Sequence, residues 1–279
     1  MRPLYTFQML APVQAHAPQG FRRYQTDRQL HKIYLSALQR LRGRIYLNDG
    51  AIQPADLDHE GRFKMYGDEN AWHLLLVDDS SQVIGCARYL VYPSTAAFHD
   101  LRVSECALAK SPEWAEKVRN AVESELKVAR VQNLSYVEIG GWALTEEWRG
   151  TKAALEIAVG SYALARLWGG AIGSCTATAR HGSASILRRL GGGSLNARGE
   201  DLPPYEDAHY GCSMELLRFD YRTVAPRFIP LVRQLTGTLA KASVITAHQA
   251  ESEYTKTFPD MLSNQLAMAT SPRLLARQL

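Results

Sequence analysis

Hydrophobic and polar positions recur with two different periods along this chain, and the changes of period divide it into elements. From about residue 25 to 47, Leu30, Ile33, Tyr34, Ala37, Leu38, Leu41 and Ile45 return at intervals of three and four, which predicts an amphipathic helix. Two extended runs follow, Ala71–Asp78 and Gln82–Tyr92, and the polar tetrad Asp78-Asp79-Ser80-Ser81 between them predicts an antiparallel hairpin. Leu101–Leu108 reads as a third strand. Ser111-Pro112-Glu113 has the residue types of a helix start, with Ser as cap, Pro in the first position and Glu at the positive end. The apolar face of that helix is Trp114, Val118, Ala121, Val122, Leu126 and Ala129.

Beyond it the chain predicts a strand over Ser135–Leu144, a helix over Thr151–Trp168 and a strand over Ala171–Ala179. A short helix, Ser183–Leu190, is closed by Gly191-Gly192-Gly193, where glycine supplies the left-handed turn. Ser194–Arg198 and Tyr210–Phe219 form a last strand pair. This order predicts an α/β chain built on a mixed, α+β type of sheet. An N-terminal arm (1–24) precedes the main domain (25–220), and a helix-leaning extension (221–279) follows, with helices over Phe228–Lys241 and Pro259–Ala267. A homodimer contact, a lid and a packed appendage are all open readings of that extension.

Composition narrows the function. The 279 residues are 46% hydrophobic and 22% charged, ordinary globular material with enough apolar content for a sizeable core. The net charge of +4 is spread without a basic block, which argues against nucleic acid as partner. The apolar stretch at the N-terminus is broken by Gln8, Pro12, Gln14 and His16, unlike a secretion signal, and no window approaches the roughly 18 apolar residues of a membrane span. A cytoplasmic protein is expected. Cys86, Cys106, Cys175 and Cys212 form no metal-binding or disulfide pattern and read as buried structural thiols, so no metal site is predicted.

The stretch from Tyr136 to Leu155 carries the chemistry. An apolar strand runs into a turn at Arg149-Gly150 and then a helix, whose first N–H groups converge on a spot suited to an anion. Gly150 permits close approach, while Arg149, Thr151 and Lys152 supply charge and a hydroxyl beside the N–H groups up to Ala153. Lys152 opposes the helix dipole in the first turn, which calls for a compensating anion. Gly140-Gly141 inside the strand predicts a bulge or a place where another chain or a ligand backbone approaches, and a bulge there would splay the strand from Ala171–Ala179 and open a slot for an extended thioester arm.

The order of elements, with Arg149-Gly150 followed by Ala154 and with Leu190-Gly191 ending the short helix, resembles the GCN5-related N-acetyltransferase (GNAT) superfamily over about residues 25–219. Leu41-Arg42-Gly43-Arg44-Ile45-Tyr46, the segment 68–75 and Ile84-Gly85-Cys86-Ala87-Arg88-Tyr89-Leu90 resemble the branch containing acyl-homoserine-lactone synthases and long-chain N-acyl amino acid synthases. The superfamily's phosphate motif, Gln/Arg-x-x-Gly-x-Gly/Ala, is met at Gly150 and departed from at Glu147 and Lys152. Of the lactone synthases' Glu-x-Ser-Arg-Phe strand, Glu105 alone is kept.

The resemblance implies an N-acyltransferase. It would move a medium or long acyl chain from acyl-CoA or acyl carrier protein (acyl-ACP), as co-substrate and without a tightly bound cofactor, to a primary amine of an amino acid, amino-acid derivative or peptide. The alternative is a non-catalytic acyl-CoA-binding or regulatory module. Backbone groups of Trp142, Ala143 and Leu144 would hold the pantetheine arm as an added strand. Deprotonating the amine requires a base, for which Glu138 and Glu105 are the candidates, with His73 and His181 behind them. Arg88 and Arg42 are candidates for anchoring an acceptor carboxylate. Where many superfamily members carry a Tyr that protonates the departing sulfur, this chain has Leu187, which leaves Ser185, water or no dedicated acid.

Overall fold

The computed structural model describes residues 5–14 and 20–248, and the expected helix over Pro259–Ala267 lies outside them. In chain order the elements are β1 (Tyr5–Leu10), β2 (Arg23–Thr26), α1 (Arg28–Asn48), β3 (Trp72–Asp78), β4 (Val83–Tyr92), the single turn α2 (Ala107–Lys110), α3 (Ala115–Val131) and β5 (Ser135–Leu144). They continue with α4 (Lys152–Leu167), β6 (Ala171–Thr178), α5 (Ser183–Leu190), the short strands β7 (Gly193–Ser194), β8 (Asn196–Ala197), β9 (Glu200–Asp201) and β10 (Tyr205–Asp207), then β11 (Cys212–Asp220), α6 (Ile229–Leu239) and β12 (Ser243–Thr246).

Among the described residues one mixed sheet runs in the order β10-β11-β6-β5-β4-β3-β1-β12-β2, with β7 beside β11. β5 and β6 are parallel, as are β1–β12 and β12–β2, and the other pairs in the sheet are antiparallel. Residues 5–10 and 243–246, assigned from the sequence to an arm and an extension, are therefore neighbouring strands of the sheet itself, and α6 packs on α4. The two-residue alternation of strands sends side chains to two cores. Leu74 and Leu76 meet Ile157 of α4 and Val232 of α6 on one face, while Leu75 and Val77 meet Leu38, Leu41 and Ile45 of α1 on the other. Helix α3 covers Tyr136 and Ile172.

Two expectations fail for identifiable reasons. Leu101–Leu108 is not a strand but a 3-10 turn, Arg102–Glu105, followed by α2. The Glu138 carboxylate accepts the N–H groups of Arg102 and Val103, and the Cys106 sulfur accepts from Ala109, so local turns use the donors a sheet would need. Helix α3 begins at Ala115 rather than at Pro112, because the Ser111 carbonyl accepts from Trp114 and Ala115 and closes a separate turn first.

A polar cluster lies inside the α1 face. Arg42 is 0% exposed, and its guanidinium is bidentate on Asp68, with Nη1 3.0 Å from Oδ1 and Nη2 on Oδ2. Gln39 and the Met65 N–H also donate to Oδ2, each at 3.0 Å, and Arg88 Nε stands 3.4 Å from Oδ1. Arg88 further donates to the Tyr66 carbonyl. Burial works against the Asp68 charge, but the Arg42 guanidinium outweighs it and holds the carboxyl below its usual range. His73 Nε2 donates to the Asp68 carbonyl at 2.8 Å, and burial pushes this imidazole down to about 4.

Two outcomes are expected. His73 is neutral when folded, while its unfolded value is about 6.5, so the stability it contributes is complete above pH 6.5 and is lost as pH falls toward 4, about 3 kcal/mol in all. Urea unfolding across that range measures the slope, and His73→Gln flattens it. Gly173 faces Val137 in the parallel β5–β6 ladder, where an added Cβ would lie 1.7 Å from the Val137 carbonyl oxygen. Gly173→Ala therefore lowers stability by about 3 kcal/mol or more in the same measurement.

Candidate active site

The parallel ladder between β5 and β6 is short. It runs Ser135↔Ala171, Tyr136↔Ile172, Val137↔Gly173 and Glu138↔Ser174, and then the strands part, although β5 continues to Leu144 and β6 to Thr178. The cause is on the other side of β5. Against β4, Cys86 pairs with Ala143 and Arg88 with Gly140, so β5 carries one extra residue in this interval. Gly141 takes it up with φ of +59°, a conformation that glycine adopts without strain. The glycine pair therefore acts as the sequence suggests, and the strands are splayed.

Between them lies a cavity of about 450 Å³. Helix α4 contributes Ala154, Ile157, Ala158, Ser161 and Tyr162, one stripe at helical spacing, and α5 contributes Ser183, Ile186 and Leu187. Ile139 and Trp142 line it from β5 and Cys175 from β6. Burial pushes the Cys175 thiol up to about 12, so this sulfur is an apolar wall and not a nucleophile at neutral pH. Of the residues expected to hold the donor, Trp142, Ala143, Leu144, Arg149 and Gly150 line the cavity. Ser185 is not among its lining residues.

The turn into α4 has the predicted backbone, with Gly150 at φ +71° and open space where its Cβ would be. Its polar groups already have partners. Thr151 caps the helix, accepting from the Ala153 N–H at 3.2 Å and donating to the Trp148 carbonyl at 2.7 Å. The Lys152 ammonium lies 2.7 Å from Glu156, one turn along the helix, and Glu156 also accepts from the Tyr5 hydroxyl. The anion that Lys152 calls for is thus in the chain itself. Arg149 holds Asp49, at the end of α1, at 3.0 Å.

Glu138 is buried, and its carboxylate accepts from Val103 N–H at 2.7 Å, from Arg102 N–H at 2.9 Å and from the Tyr92 hydroxyl. These bonds use three of the roughly four acceptor positions of a carboxylate. Glu105 lies on the surface in an ion pair with Lys110 at 2.7 Å, which holds its carboxyl below the usual range. The structure does not bring the two carboxylates together: one is buried under the 101–105 turn, the other exposed beyond it. Arg42 and Arg88 do not line the cavity but back the bulge, since a Cβ on Gly141 would meet Arg88 Cβ at 2.9 Å and Arg42 Nη1 at 3.0 Å. His73 belongs to that same buried cluster.

Three residues at this site escape sequence reasoning. Tyr46, near the end of α1, lines the cavity and donates to the Trp142 carbonyl at 3.1 Å. Arg180 lines the cavity and donates to the carbonyls of Gly50 and Gly211. Arg102 stacks over Tyr66 at 5.1 Å, beside the Glu138 anchor. Tyr46 falls within the helix signature that carries the resemblance, but its position four residues after Arg42 reads simply as helix core. Among the described residues no cluster could hold a metal ion, and no helix is long and apolar enough to cross a membrane.

No protein-family model matches this sequence, and no curated protein sequence does either. Solved structures do match. A CoA-dependent acyl-homoserine lactone synthase, BjaI, solved with SAM and isopentyl-CoA, superposes with a TM-score of 0.52 at 13% identity, covering 88% of this chain and 95% of that one. The same protein with MTA gives 0.52 at 14% identity, with 88% and 95% covered. FeeM, an N-acyl amino acid synthase from uncultured soil microbes, gives 0.46 at 13% identity over 84% of this chain and 96% of that one. At these identities the likeness is one of fold alone: this chain shares the fold of the BjaI structures across most of its length.

Proposed function

We propose that the chain is an N-acyltransferase, moving a medium or long acyl group from a pantetheine thioester, acyl-CoA or acyl-ACP, to the primary amine of an amino acid, amino-acid derivative or peptide. The observation that carries this reading is the parting of β5 and β6 after Glu138 and Ser174, with a largely apolar cavity between them. The free edge of Trp142–Leu144 offers backbone groups to a pantetheine arm as a neighbouring strand would. A volume of about 450 Å³ falls in the range of sites for ligands far larger than an acetyl group, about 300–1,000 Å³, and its walls suit hydrocarbon.

The donor phosphate would lie at Gly150, where the backbone is open, and would compete with Asp49 for Arg149. Lys152 would join by turning from Glu156. A single phosphopantetheine phosphate needs fewer of these exchanges than the 3′,5′-ADP of CoA. The acceptor would approach on the face that carries Glu138, whose remaining acceptor position takes the amine's proton. There the Arg102 guanidinium, rather than the enclosed Arg42 and Arg88, is the exposed cation for an acceptor carboxylate.

Matched long-chain acyl-CoA and acyl-ACP, each tested with a panel of amines, decide the reading through thiol release. Release that depends on added amine is expected. Glu138→Gln is expected to lower its rate at least about 100-fold, the contribution of a positioned base, with thermal unfolding run alongside because the same change loosens the 101–105 turn. Glu105→Gln is expected to stay within about twofold, since that carboxylate is exposed and paired away. Donor binding without thiol release would make the chain an acyl-binding module instead.

A further inference from the structure

The short helix α5 turns Ser183, Ile186 and Leu187 to the cavity, so the place from which a tyrosine would serve the leaving sulfur is occupied by Leu187. A proton donor for that sulfur has to come from another element. Resting on the acyl-transfer reading above, we propose that Tyr46, at the end of α1, protonates the departing thiolate.

Position is the first argument. The pantetheine arm follows the free edge of Trp142–Leu144, and the acyl chain fills the space between β5 and α4. The thioester therefore sits where the edge meets the bulge at Gly141 and Trp142. The Tyr46 hydroxyl is at that junction, 3.1 Å from the Trp142 carbonyl oxygen. Its ring is held against Phe63, with centroids 5.7 Å apart, so the hydroxyl is aimed by packing on α1 rather than by the donor. Tyr162 also lines the cavity, but its ring is engaged deep on α4 with Phe219, centroids 4.8 Å apart, on the side of the acyl chain. Tyr210 lines the cavity from the loop before β11, where its ring meets His209 at 5.0 Å.

The protonation state agrees with the position. Burial pushes the Tyr46 hydroxyl well above the ordinary tyrosine range, the nearby Tyr210 adds to this, and the Arg42 guanidinium pulls it part of the way back. The phenol is protonated at neutral pH and can donate. The Arg42 guanidinium acts toward the phenolate, against burial and against the Asp68 carboxylate that Arg42 holds.

The step balances without a further reactant. The amine nitrogen attacks the thioester carbon, a C–N bond forms, and the carbonyl pair moves to oxygen. When the tetrahedral species collapses, the C–S bond breaks and its electron pair leaves on sulfur. The Tyr46 O–H proton passes to that sulfur to give the thiol. Glu138 takes the proton that the attacking nitrogen sheds and passes it through water to the phenolate, so both the carboxylate and the hydroxyl are restored and the products are an amide and a thiol.

The test varies the leaving group. Wild type and Tyr46→Phe are each given the same acyl chain as a CoA thioester and as a thiophenyl ester, whose far more acidic thiol leaves without a proton. With the amine acceptor saturating, Tyr46→Phe is expected to lose about 100-fold on the CoA thioester and less than about threefold on the aryl thioester. Activity on the aryl ester then shows that the variant is folded. Equal losses on both donors, in a protein that unfolds at the wild-type temperature, would overturn the proposal, as would no loss on either. Should wild type release thiol from neither donor on addition of amines, the acyl-transfer reading itself fails, an outcome distinct from any effect of Tyr46.

Discussion

A strand with one residue too many cannot keep register with both neighbours. In β5 the surplus is placed opposite β4, at Gly141, and the strand answers by turning away from β6 four pairs into their ladder. The left-handed φ of +59° makes glycine the residue for this position, and Arg88 and Arg42 fill the space where a side chain would have been. Everything assigned to the donor follows from that departure: the cavity, the free edge at Trp142–Leu144 and the facing stripe on α4. The buried Arg42–Asp68–Arg88 group is then best understood as the support of the bulge. Two guanidiniums share one aspartate there, an arrangement that pairing and hydrogen bonds make tolerable and that a missing partner would make costly.

The signals that were legible in the sequence are local ones. A glycine pair in an apolar run, an Arg-Gly turn before a helix and a Gly-rich helix end are properties of a few consecutive residues, and the structure has all three where the sequence puts them. Partners brought from far along the chain were not legible. The 101–108 segment has strand-like residues, but Glu138, more than thirty positions away, takes the N–H groups that a strand would have used. Tyr5 reaches Glu156 across 151 positions, and β12 enters the sheet between β1 and β2 from a region that reads as an appended helix. Lys152 is an intermediate case. Its place in the first turn calls for an anion, and Glu156 at the i,i+4 position supplies one within the chain.

Function follows from which of these groups are committed and which are open. The cations around Gly150 are engaged with Asp49 and Glu156, so on the proposed reading donor binding would be an exchange of partners and not the filling of a bare charged cradle. On the proposed reading the proton work would be divided between two elements, Glu138 of β5 on the acceptor side and Tyr46 of α1 at the bulge.

The splayed strands as the donor's site can be tested without turnover. Backbone amide hydrogen exchange, followed residue by residue on adding a long-chain acyl-CoA thioether that cannot transfer its chain, reports which edge the donor occupies. Exchange at residues 140–144 of β5 is predicted to slow by about tenfold or more while the outer strands β1 and β12 are unchanged. Saturable binding of the same analogue with exchange at 140–144 unaltered would contradict the account.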